Sequence, residues 1–372
     1  MAYLNVFINN SNKNPINVNR DTKPVPPGPG IEKWVKEHMV FWYDVQKQGA
    51  TNEILKSNPY LQDFSGNNRP LKLNNFLFAA MSGVGGYTLN AKSYHNRSNI
   101  MVGTFDDYSI EITAKVAEIL GIAWTENGVG GSNSVAVGET LTRPAFTITV
   151  EGMPDDLKWG MFESGVADKG NGTFEIPAYT YTNNTEEVKT KFIGIDFSQS
   201  TFDNVDIKFT FQPLYPNALV TDGVDDYGQV QNLSQGVKML FMSFNIFSIN
   251  KFIYDQRYDE AEPFLFAINN ANNSIAYNYR NSNGTTYIDG TLNESTVCQE
   301  LLNKRHTITI VNNNVTPSKS KAPLFFRNTA GDNVANMAFY NSIGFDAVPT
   351  KETDGFTEQE LIDYVLENLI TQ

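Results

Sequence analysis

The chain has 372 residues, 41% of them hydrophobic and 12% aromatic, with a net charge of −13. The apolar content supports packed cores and argues against disorder throughout, while the length exceeds one usual core, so two domains are expected. The acidic balance repels phosphate backbones and anionic lipid, which makes nucleic acid and membrane surfaces poor partners. One cysteine, Cys298, gives no internal disulfide framework or thiolate cluster, and His38, His95 and His306 have no zinc-site spacing.

Residues 1–8 lack the basic region, long apolar core and cleavage site of a secretory signal. No apolar run reaches transmembrane length. Synthesis in a cytosol without ordinary export is the expectation. Tyr3 to Ile8 reads as a short strand, and Lys23-Pro-Val-Pro-Pro-Gly-Pro-Gly30 as an extended spacer. Residues 1–30 therefore form an arm, either a tail or a docking element for another subunit.

Met39 to Tyr43 reads as a strand and Gln48 to Pro59 as a polar loop. Leu61, Leu71, Leu73 and Phe76 surround the turn Asp63-Phe-Ser-Gly-Asn-Asn68. From about 91 to 213, apolar and polar residues alternate at Tyr108–Ile112, Phe146–Val150 and Val205–Phe211, with a further strand at Phe192–Phe197. Val116 to Ile122 reads as a short helix. Several short strands between Gly, Pro and Asn clusters predict a second small sandwich.

At Leu219–Val230 two apolar segments flank an acidic turn, with Val224, Tyr227 and Val230 returning as a half-buried strand. Asp222-Gly223 is a strong turn signal, because Gly tolerates positive φ and Asp bonds its own backbone. Val237 to Ile249 is nearly continuous apolar, the mark of a strand covered on both faces. Strands follow at Phe264–Ile268, Ile275–Tyr279, Thr307–Val311, Leu324–Arg327 and Met337–Phe345, with turns at Asn283-Gly284 and Asp289-Gly290. Thr357 with Glu360 forms a capping box ahead of Leu361, Val365 and Leu369, one face of a short C-terminal helix.

Paired carboxylates for glycoside hydrolysis are the first chemistry to seek in a β-sandwich, since strand alternation can put them on one face. The nearest match, Glu352-Thr-Asp-Gly-Phe-Thr-Glu358, has the wrong spacing and runs into a helix cap. Asp255 to Glu262 reads as an acidic turn, and no Gly-x-Ser-x-Gly elbow is present. No catalytic residues are assigned. Asp222, Asp225 and Asp226 are hard oxygen donors in a short span and form a candidate calcium site, set against a plain structural turn. Tyr254, Tyr258, Tyr277, Tyr279 and Tyr287, among many asparagines, are candidate sugar contacts, since aromatic faces stack on pyranoses and amides grip hydroxyls.

The turn at Asp63–Asn68, the Trp-Tyr strand before it and the Asp-Gly-x-Asp-Asp-Tyr element at 222–227 resemble landmarks of the laminin G-like, concanavalin A-like jelly rolls. In that family the two landmarks lie closer together, so the resemblance implies an insertion: a discontinuous all-β jelly roll of residues 31–90 plus 214–372, with 91–213 as an inserted β-sandwich. The segments Phe41–Glu53, Pro59–Gly66, Met81–Tyr87 and Thr221–Tyr227 also resemble proteins of phages and prophages of gut Bacteroidetes, mostly assigned as virion appendage or fibre components. That resemblance implies a non-catalytic virion protein, a head or tail fibre or its decoration. It would be held to other virion proteins by the arm, homo-oligomeric, and able to meet host glycans. A lectin-like carbohydrate-binding module and a glycan depolymerase are the alternatives.

Overall fold

The computed structural model describes residues 30–79, 81–86, 94–96, 101–105, 109–115, 133–136, 142–143, 145–161, 166–180, 192–196, 204–233, 236–248, 251–256, 265–269, 274–277, 284–293, 301–312, 323–327 and 334–370. Within them the chain is mostly β-strand in antiparallel sheets with few helices. The expected Tyr3–Ile8 strand, the Pro-rich spacer up to residue 29 and the Val116–Ile122 helix lie outside the described residues.

Two large sheets are woven from both ends of the chain. The eight-stranded sheet runs Thr291–Leu292, Gly284–Ile288, Arg305–Asn312, Met239–Ile246, Asn336–Phe345, Leu219–Asp222, Gly83–Val84, and Met39–Asp44 also pairs with Asn336–Phe345. The seven-stranded sheet runs Tyr60–Leu61, Leu71–Asn74, Tyr227–Val230, Leu324–Phe325, Lys251–Asp255, Leu265–Asn269, Ser274–Tyr277. One apolar core joins early residues such as Phe41, Tyr43, Leu61 and Leu71 to late ones such as Leu219, Val230, Met242 and Phe339. Phe325 sits at its centre, edge-on to Phe41, Tyr43, Tyr254 and Phe339.

A second apolar layer covers the outer face of the eight-stranded sheet. There the helices Ile31–His38 and Glu358–Asn368 contribute Ile31, Trp34, Leu361 and Val365 against Met239, Phe241, Ile343 and Phe345. The continuous apolar run near residue 240 follows from this arrangement. Every residue of Met239–Ile246 is buried, with Leu240, Met242, Phe244 and Ile246 facing the inner core and Met239 and Phe241 facing the helices. Its neighbour obeys a different rule. Met337 and Phe339 face the inner core, yet Ile343 and Phe345, of the same parity, face the helices. Ser243 pairs with Asn341 and Phe244 with Phe339, so Tyr340 is an extra residue, and this bulge moves the alternation to the other face.

The helix Ile31–His38 was not anticipated, although Ile31, Trp34 and Val35 lie at helical spacing and are its buried face. Gln48 to Pro59 is not simply a loop. Asp44 caps Val45–Gln48 by accepting from the Lys47 amide, and Thr51 caps Asn52–Ser57 by accepting from Ile54 N. Such caps let short helices form in a polar stretch. The C-terminal capping box is present as expected, with Thr357 and Glu360 bonded reciprocally.

Strands between 94 and 211 form sheets of their own. One is Gly172–Ile176, Phe146–Glu151, Asn204–Phe211, Ser109–Lys115, Met101–Phe105; another is Val166–Lys169, Lys158–Met161, Phe192–Asp196, Asn133–Ala136, Tyr94–Asn96. Trp159 of the second sheet is 1% exposed and packs edge-on against Phe174 and Phe209 of the first, with centroids 5.3 and 5.6 Å apart. Its indole N–H donates to Gly170 O at 2.9 Å, which satisfies the buried donor. The two ends of this stretch meet side by side: Leu214 N donates to Gly86 O and Tyr215 N to Gly85 O, each at 2.8 Å.

Candidate functional site

The strands Leu219–Asp222 and Tyr227–Val230 lie in different sheets, so the acidic turn between them is a crossing from one sheet to the other and not a hairpin. Val224 is at its tip and 73% exposed, outside the returning strand. Asp222 Oδ1 accepts from Val224 N at 2.8 Å, and Gly223 takes φ 78°. A side chain at Gly223 would place its Cβ 2.8 Å from Asn336 Cβ, so glycine is needed here for both conformation and space.

Asp226 closes the turn from inside. It is fully buried, its Oδ2 accepts from Asp222 N at 3.0 Å, and its Oδ1 accepts from the Ser82 hydroxyl at 3.0 Å. Ser82 Oγ in turn accepts from Leu77 N, and Asn75 Nδ2 donates to Asp225 O. Residues 75–82 and 222–226 are thereby one cross-linked loop pair. Asn75 and Phe78 take positive φ values of 68° and 51°, and Leu77 is 68% exposed.

The carboxylates of Asp222, Asp225 and Asp226 offer oxygens within 4.8 Å of one another. Burial, opposed by the Asp222 amide and reinforced by the Asp222 carboxylate, pushes Asp226 up from 3.8 to about 7. The Asn336 Oδ1 is buried with no partner among the described residues, and its side chain packs against Gly223. Asp222, Asp225 and Asp226 are the residues that would hold a divalent ion, using the oxygen chemistry calcium prefers. The same contacts also complete a structural turn with no metal, because both Asp226 oxygens already have protein donors.

No protein-family model, curated protein or solved structure matches this chain.

The tyrosines proposed as sugar contacts do not gather into a site among the described residues. Tyr254 is fully buried, donates to Gln256 Oε1 at 2.8 Å and packs edge-on against Phe325, so neither ring face is open to a ligand. Tyr287 is 8% exposed and donates to Glu358 Oε1 at 2.6 Å, tying its strand to the C-terminal helix. Burial, then that carboxylate, drives its hydroxyl well above the ordinary value. Tyr277 ends the strand Ser274–Tyr277, while Tyr258 and Tyr279 lie outside the described residues. Surrounding asparagines suggested exposure for these rings; strand parity sends Tyr254 inward, and the hydroxyls find protein partners.

An aromatic cleft that sequence reasoning missed lies elsewhere. Trp42 and Phe64 meet edge to face at 5.9 Å, beside Tyr364 of the C-terminal helix. The signal was present: Phe41 and Tyr43 face the inner core, so Trp42 between them must face the other way.

Proposed function

We propose that the chain is a non-catalytic structural and adhesive component of a phage virion, a head or tail fibre or its decoration, that meets host surface glycans. In this reading residues 31–90 and 214–372 make a laminin G-like jelly roll. Residues 91–213 are a guest β-sandwich, and residues 1–30 dock on other virion proteins in a homo-oligomer. The supporting observation is the shared core of the two large sheets, to which strands before residue 90 and after residue 214 both contribute. The paired backbone at Gly85–Gly86 and Leu214–Tyr215 is what an insertion through one loop requires.

A non-catalytic role agrees with the acidic cluster. A glycosidase needs two carboxylates about 5–9 Å apart flanking an accessible bond, whereas Asp226 is sealed inside the turn. Among the described residues no helix is long and apolar enough to cross a membrane. Mass spectrometry of purified virions from the producing phage tests the assignment. Recovery of this chain at a fixed stoichiometry with the other particle proteins is expected, and its absence from intact particles contradicts the reading.

A further inference from the structure

The cleft at Trp42 has the makings of a ligand site of its own. It has a volume of about 290 Å³ and lies between the Ile31–His38 helix, the Met39–Asp44 strand, the turn after Asp63 and the C-terminal helix. Six residues define its chemistry: Trp42, Phe64, Tyr364, Glu32, Lys36 and Ser65. The three rings are half-buried, while Glu32 and Lys36 are exposed one helical turn apart on the same helix. Glu32 and Tyr364 both line the cleft, and burial, then the Glu32 carboxylate, raises the Tyr364 hydroxyl above its ordinary value. The Trp42 Nε1 is shielded from solvent with no acceptor among the described residues. Lys47 Nζ, 4.3 Å from the Trp42 ring centroid and 5.4 Å from that of Phe64, braces the aromatic pair.

We propose that this cleft binds a single neutral pyranose ring of a bacterial surface polysaccharide. The inference rests on the adhesive reading above and gives it a location. Aromatic faces of Trp42, Phe64 and Tyr364 take the C–H face of a sugar, and the Glu32 carboxylate, the Lys36 ammonium and the Ser65 hydroxyl accept from and donate to its hydroxyls. Glu32 and Lys36 on the cleft wall carry opposite charges, and the Lys47 ammonium lies against the Trp42 and Phe64 rings. The chain's net charge of −13 disfavours an anionic polymer, which leaves a neutral sugar as the favoured ligand. The volume lies at the lower end of the range for ligand pockets, which suits one ring. Affinity for one ring in so open a site is on the order of millimolar, and display of several copies on one particle supplies the avidity.

The test presents the full chain to an array of bacterial surface polysaccharides. Competition with the methyl glycosides of glucose, galactose, mannose, N-acetylglucosamine and rhamnose then identifies the ring bound. Glu32→Ala and Tyr364→Ala alter half-buried or exposed side chains, and Lys33→Ala, outside the cleft, is the control. Thermal unfolding checks that each variant folds, and Tyr364→Phe, which keeps the ring, separates stacking from collapse. The expected result is capture of at least one polysaccharide, an affinity loss of about tenfold or more in Glu32→Ala and Tyr364→Ala, and little change in Lys33→Ala and Tyr364→Phe. Capture that survives both alanine variants overturns the cleft and leaves adhesion standing. Capture of no polysaccharide by the unaltered chain overturns adhesion and the cleft together.

Discussion

The carboxylate of Asp63 accepts the backbone N–H of Trp42 at 3.0 Å, and this contact helps close an otherwise open strand edge. Among the described residues Met39–Asp44 pairs with one strand only, Asn336–Phe345. On its other side the Asp63–Arg69 turn supplies the partners. Phe64 N donates to Trp42 O, Asn67 Nδ2 to Met39 O, and Arg69 Nη1 to Val40 O. Asp63 also accepts from Ser65 N and Arg69 N, so one carboxylate shapes the turn and joins it to the strand. An unprotected edge invites pairing with other chains, and this turn is a side-chain substitute for a neighbouring strand.

Asp63→Ala is accordingly expected to lower stability by roughly 3 kcal/mol, since three amides lose a charged acceptor. Asp63→Asn, which keeps one carbonyl oxygen, should fall between the two. Denaturant midpoints with an unchanged slope check this. A shift under about 0.5 kcal/mol for Asp63→Ala contradicts the edge-closing role.

Asp226 gives a pH dependence of unusual sign for an aspartate. Its folded value, about 7, lies above the ordinary 3.8, so the folded state favours the protonated form. The stability linked to this group is fully present below about pH 4 and is lost as pH rises toward 7. Asp226→Asn mimics the protonated acid and escapes that loss. The variant should match the unaltered chain near pH 4 and exceed its Tm by roughly 2–4 °C near pH 8. A difference that stays constant across this range contradicts the assignment.

Calcium tests the same turn from another direction. With both Asp226 oxygens held by Ser82 and the Asp222 amide, the turn is complete from protein groups alone. Addition of about 5 mM calcium, well above the weak range of extracellular sites, is expected to leave Tm within about 1 °C, and chelator to leave glycan capture unchanged. A rise in Tm that Asp225→Asn removes would establish the metal site instead.

The C-terminal helix offers a local test. Thr357 accepts from Glu360 N while Glu360 returns to Thr357 N. Thr357→Ala should cost about 1 kcal/mol, read as a lower Tm. Because Tyr287 donates to Glu358 at the start of this helix, near-ultraviolet circular dichroism should report the loosened end.

Much of this architecture was legible where a single local rule governs. The capping box, the Asp222-Gly223 turn and the fully covered strand at Met239–Ile246 each follow from spacing or hydropathy alone. The Asp289-Gly290 turn likewise joins Gly284–Ile288 to Thr291–Leu292, with φ values of 50° and 79°. Features set by tertiary contact were not legible. The Tyr340 bulge reverses the parity of a strand that reads as uniform, because it must serve the inner core at one end and the helices at the other. The turn at 222–226 reads as a reversal into a returning strand, and that signal does not specify which sheet receives it. Tyrosines beside asparagines read as surface until a partner such as Gln256 or Glu358 is seen.

The central claim is that polypeptide from either side of a long intervening stretch completes one sandwich. Replacing residues 91–213 with a short Gly-Ser linker tests it most directly, since Gly86 and Leu214 are already hydrogen-bonded neighbours. Thermal unfolding of that chain, followed by near-ultraviolet circular dichroism of aromatics such as Tyr43 and Phe325, is the measurement. A cooperative transition with the aromatic signal retained is predicted. A chain that shows no cooperative transition contradicts the account.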